Sequence, residues 1–144
     1  MDIYNILLQA HRGFAYLELL LVAAFVVLLL VTMFGYSGNI SKALRKVTLF
    51  TMIFFHVQFL VGIVMLITNI TKGLDMAAVM KNADLRFTYV EHPFSMLIAA
   101  VVMTIINKKL KTNDKLTIPV VSLGLVAVAL FVFAFPWARV FGVN

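Results

Sequence analysis

The stretch Phe14–Gly35, FAYLELLLVAAFVVLLLVTMFG, holds one charged side chain, Glu18, in about six helical turns. A helix apolar on every face over this length has no place on a soluble surface. Roughly 20 residues at about 1.5 Å each match the roughly 30 Å hydrocarbon core of a bilayer. Three more blocks read the same way: Val47–Thr68, Phe87–Ile106 and Leu116–Phe135. Backbone polar groups in lipid must be satisfied within their own segment, and the alternation of a β-barrel is absent, so all four are expected to be helices. Composition agrees, with 63% hydrophobic and only 12% charged residues, too few charges to coat a soluble domain. The fold expected is all-α: one domain over residues 1–144, an integral membrane four-helix bundle. The first block has no Lys or Arg before Arg12 and no small-residue cleavage site, so it reads as a retained span and not a signal peptide.

Between the blocks, Tyr36–Lys46 carries Lys42, Arg45 and Lys46, and Lys108–Lys115 carries Lys108, Lys109, Lys111 and Lys115. The other side spreads Arg12, Lys72, Lys81, Arg86 and Arg139 among Asp2, Asp75, Asp84 and Glu91. The positive-inside rule puts both short loops in the cytoplasm, and both termini and the 69–86 loop outside. Short loops make neighbours antiparallel, which predicts up-down-up-down order. Tyr16, Tyr89 and Trp137 fall where an outer aromatic belt belongs, and Met76, Ala77, Val79 and Met80 suggest a short interfacial helix. The net charge of +6 sits at helix ends beside the membrane, so it does not indicate nucleic acid. There is no cysteine, which excludes disulfides, thiolate metal sites, covalent c-type haem and iron–sulfur clusters. No phosphate loop, zinc motif or nucleophile constellation supports a hydrolase or transferase.

Ionisable groups inside spans are costly and mark function by default. Here they are Glu18, His56, Glu91 and His92, with His11 just before the first block. One histidine lies at the outer end of each of spans one and three, and the third near the middle of span two. Imidazole is a common axial ligand of haem iron. Spans one and three are diagonal in an up-down bundle, so His11 and His92 could face each other across a macrocycle, with His56 the reserve ligand. Arg12, Arg86 and Arg139 near the outer end would meet haem propionates. Glu18 reads as a partner of a His or Arg across the bundle, or as a proton-handling group. A metal or proton site from Glu18, His56 and His92 is a further reading.

Structural readings stand beside these. His11 suits an interface, His56 suits a hydrogen bond between helices, and Met96, Ala99 and Met103 suit a packed face. Gln58 lies about 160° round the helix from His56, so it should meet a different neighbour. Depth counts against the His11–His92 pair. Measured from the inner ends of the blocks, His92 stands about 21 Å up and His11 about 36 Å up. Pro93 after His92 is expected to kink span three and not to start it, because a start there leaves too short a span.

His11-Arg12-Gly13, His56-Val57-Gln58 with Gly62, Arg86 with Val90-Glu91-His92, and Pro136-Trp137 resemble the small four-span bacterial membrane proteins labelled cytochrome B. The likeness covers almost the whole chain and implies b-type haem in a bacterial inner membrane. More distantly, His11-Arg12, Gln58 with Gly62, and His92 resemble one half of haem A synthase, which implies His11 and His92 as the axial pair. That enzyme has two such halves, and its leading span has no counterpart here, so its activity is not carried over. The expected function is a haem-b-binding membrane protein that transfers electrons, with a quinone or a larger respiratory complex as partner, and not a stand-alone enzyme. The alternative is a cofactor-free accessory or assembly subunit, with Gly62, Ala99, Ala100 and Gly124 receiving a partner helix.

Overall fold

A computed structural model describes residues 2–142. Among them every regular element is a helix, and the one isolated backbone bridge joins Asn39 to Lys115. Helix α1 spans Ile3–Gly35 and α2 spans Lys42–Thr71. The connecting loop after α2 carries the short α3, Met76–Lys81, as the Met-rich stretch predicted. Then come α4 (Ala83–Arg86), a π-helical turn over Phe87–Glu91, and α5 (His92–Thr112). Last are α6 (Ile118–Ala134) and the single-turn α7 (Trp137–Phe141). Three helical stretches are long and apolar enough to cross a membrane: Ile3–Gly35, Lys42–Thr71 and Ala83–Thr112. The fourth, Ile118–Ala134, is apolar but shorter.

Helix α1 packs on α2, α2 on α5, α5 on α6, and α6 closes back on α1 less extensively. That order sets α1 and α5 on one diagonal. The core is apolar along its length, with Phe25, Leu29, Leu44, Ile106 and Phe131 all without solvent exposure. Small residues let the helices approach. A Cβ at Gly124 of α6 would lie 2.8 Å from Leu29 Cδ2 and 3.3 Å from Phe25 Cζ. Ala99 and Ala100 of α5 are likewise buried inside the bundle. These positions therefore serve internal packing, where the accessory-subunit reading had them free for a partner.

One end of the bundle is knitted shut by its loops. Ile40 N–H donates to Asp114 O (3.0 Å) and Leu116 N–H to Gly38 O (2.7 Å). Gly38 has φ +79°, and a Cβ there would press on Leu116 O at 3.1 Å, so glycine suits both the turn and the contact. Arg45 of α2 donates to Leu110 O and to Asn113 O, tying α2 to the end of α5.

Pro93 does not start span three. The helix runs through it from Ala83 to Thr112. Proline has no N–H, and its ring crowds the carbonyl four residues back. The widened π turn before it accommodates this, with His92 N–H bonding to Phe87 O, five residues back. The length of α5 at its other end narrows the depth gap between His11 and His92. Helix α5 extends six residues past the apolar block, to Thr112, which lifts His92 to about 30 Å against about 36 Å for His11.

Candidate functional site

At the end opposite the knitted loops, the four long helices enclose a cavity of about 430 Å³. That volume lies within the range of small-molecule sites, about 300–1,000 Å³. Its walls are mostly apolar and aromatic, including Phe55, Phe59, Phe131, Phe135 and Met96. The polar residues that line it are Tyr4, His11, Arg12 and Glu18 from α1, Gln58 and Asn69 from α2, Thr88 and Tyr89 from the π turn, His92 from α5, and Arg139 from α7.

His11 and His92 meet inside it. Their ring centroids are 6.1 Å apart and their planes perpendicular. This is the spacing of an edge-to-face ring contact, and it sets both imidazoles on one cavity. His92 is oriented by its other nitrogen, whose Nδ1 lies 2.7 Å from Ala134 O. With Nδ1–H as donor, Nε2 is left with its lone pair for a ligand, the pattern of metal-binding histidines. Ala134 O is free to accept because α6 ends at this residue and the Trp137 N–H turns to Phe135 O instead. The Phe135-Pro136 stop was the sequence signal for that bare acceptor, and only the fold shows that His92 uses it.

His11 sits one turn above Ala15 with Nδ1 buried and unpartnered. Gln58 donates from Nε2 to His11 O (2.9 Å), while its own Oε1 has no partner. Gly62, one turn along α2, keeps that wall low, since a Cβ there would lie 3.7 Å from His11 Cε1. Glu18, two turns from His11 on α1, is 5% exposed and its Oε1 is also unpartnered. Among the described residues, these three are the buried side-chain polar atoms without a hydrogen-bond partner. All three line one cavity, and buried polar groups are normally satisfied, so their clustering points to a ligand.

The rim is basic and clasped. Arg12 Nη2 donates to Arg139 O (2.6 Å), and Tyr16 OH donates to Val140 O. These bonds hold α7 against the start of α1. Asn69 Nδ2 donates to Tyr4 OH (3.1 Å) across the α1–α2 side.

Two sequence candidates lie elsewhere. His56 is exposed on the far face of α2, with Nδ1 2.7 Å from Met52 O and Nε2 3.3 Å from Thr104 Oγ1 of α5. It joins two helices and does not reach the cavity, so it shares no site with Glu18 and His92. Gln58, as its angular offset required, points the other way. Arg86 does not line the cavity; it pairs with Glu91 (3.0 Å) and donates to Met80 O (3.3 Å). Among the described residues no three His, Asp or Glu side chains group to hold a bare metal ion. The chain matches no family model, no curated protein and no solved structure.

Proposed function

We propose that this protein is a b-type haem protein of a bacterial inner membrane, and that it passes electrons between a quinone or respiratory partner and its haem. The bundle would cross the bilayer up-down-up-down, with both termini and the cavity end outside and the two basic loops in the cytoplasm. Four apolar helices clad in exposed Leu, Ile, Val and Phe support insertion, and the Lys and Arg bias of the short loops supports the orientation.

The observation that carries the haem reading is the meeting of His11 and His92, from diagonal helices, at 6.1 Å inside one apolar cavity. The residues present fit the group. His11 and His92 would be the axial ligands, with the Ala134 carbonyl fixing the His92 ring. Phe55, Phe131, Phe135 and Met96 would flank an apolar macrocycle, and Arg12 and Arg139 at the rim would bind its propionates. Bound haem b supplies a one-electron couple at its iron. The protein's part is to hold that couple in an apolar, water-poor site and to present its edge at the basic rim. The resemblance to the four-span proteins labelled cytochrome B points the same way.

The test is an absorption spectrum of detergent-purified protein from haem-replete cells, oxidised and then dithionite-reduced, with haem quantified per chain. A sharp reduced α-band at about one haem per chain is expected for two axial histidines. His11→Ala and His92→Ala should each abolish that low-spin band, while His56→Ala should retain it. A colourless preparation that takes up no added haem would overturn the reading in favour of a cofactor-free accessory subunit.

A further inference from the structure

We propose that Glu18 is a redox-linked proton acceptor, binding one proton when an electron enters the site formed by His11 and His92 and releasing it when the electron leaves. This inference rests on the haem reading above and adds proton uptake to it.

Among the described residues, Glu18 is the only carboxyl group lining the cavity. Its position in the middle of an apolar helix is costly unless its charge is used. It takes part in none of the ion pairs among the described residues, which are Arg45–Asp114, Lys72–Asp2 and Arg86–Glu91. Its protonation is therefore not fixed by a salt-bridge partner. The groups that share its cavity can be named element by element. Helix α1 adds Tyr4, His11 and Arg12, the π-helical turn adds Tyr89, α5 adds His92, and α7 adds Arg139. Helix α2 adds the neutral Gln58, because His56 faces Thr104 instead. Helix α6 has no ionisable residue between Ile118 and Ala134.

The hydrogen-bond inventory agrees. Gln58 Nε2 donates one hydrogen to His11 O, and neither Gln58 Oε1 nor Glu18 Oε1 has a partner. A protonated carboxyl can donate to a bare amide oxygen and a carboxylate can accept the second amide hydrogen, so an amide in the same cavity suits both charge states of Glu18. The distance suits coupling. Seven residues separate His11 from Glu18, about 10 Å along the helix. At that separation and an effective dielectric of about 20, one added negative charge raises proton affinity more than tenfold.

The step balances simply. A one-electron donor outside the protein, of quinol or reduced-protein type, supplies the electron. Water at the rim supplies the proton, and one O–H bond forms at the Glu18 carboxylate. Oxidation reverses both, and no other bond is made or broken.

The test is a redox titration of haem-loaded protein in nanodiscs between about pH 5 and pH 9. The midpoint potential should fall as pH rises, approaching about 59 mV for each tenfold change in proton activity. Glu18→Gln should flatten that slope while haem content and the reduced α-band stay as in the parent. A second measurement uses the unaltered protein alone: reduction in weakly buffered solution with an indicator dye should take up close to one proton per electron. Haem-loaded protein with a flat slope and no proton uptake would overturn the inference and leave the haem reading standing. A slope that persists in Glu18→Gln would overturn it in favour of another group. Protein that binds no haem would overturn both.

Discussion

The two ends of this bundle are built from the same four helices and are opposites. At the loop end, Leu44 and Leu110 are buried almost completely, and Thr48 and Thr51 return their hydroxyls to Leu44 O and Val47 O. Backbone bonds between the 36–41 and 113–117 loops close it. At the other end, His11, Glu18 and Gln58 hold unpartnered atoms over a cavity. The loop end is satisfied, with a smaller cavity of about 290 Å³ beside Leu110 and Leu116, while the other end holds the larger cavity and the unsatisfied polar atoms. A chain selected only for stability would treat both ends alike. The difference sets the buried unpartnered groups at the open end, where a ligand would satisfy them.

The contrast can be broken from either side. The largest expected effect is at the loop end, where Leu110→Ala should cost about 2–5 kcal/mol by opening a void. Denaturation in detergent would measure it, and the haem spectrum of the surviving folded protein should not change. Mid-bundle, Gly124→Val should cost about 1–3 kcal/mol by overpacking Leu29 and Phe25. An unchanged melting temperature would show that α1 and α6 are not held at this separation. The smallest effect has the opposite sign. Gln58→Leu in haem-free protein removes an unsatisfied acceptor and should stabilise the fold by about 1 kcal/mol. Destabilisation there would mean that the Gln58 bond to His11 O outweighs the bare oxygen, and that the open end is less frustrated than its geometry implies.

Much of the fold was legible before any coordinates. The apolar blocks place the long helices, and the α3 helix appears where Met76–Met80 suggested it. The opposed directions of His56 and Gln58 follow from helical angle alone. The Arg86–Glu91 pair was not fixed by helical spacing, because residues five apart lie about 140° round an α-helix, and the widened π turn between them brings the two side chains together. Depth was harder. The third helix reads as ending at Ile106 because Asn107, Lys108 and Lys109 end its apolar run, yet the helix continues to Thr112. Polar side chains stop a hydrophobic block without stopping hydrogen bonding along the backbone, so the count of His92's height came out short.

What the sequence determined by itself was the number of apolar segments, their helical state and the short list of ionisable groups inside them. Chain length, apolar run and the need to satisfy every peptide group are local facts, and they leave little choice. What only the tertiary structure decided was which of those groups meet. It turned His11, Glu18, Gln58 and His92 into one cavity, sent His56 to the outer face and bound His92 to the carbonyl of Ala134. The physical reason is that these helices are apolar on nearly every face. An all-apolar helix carries almost no pattern that separates inside from outside, and only packing against its neighbours fixes which way each polar side chain points.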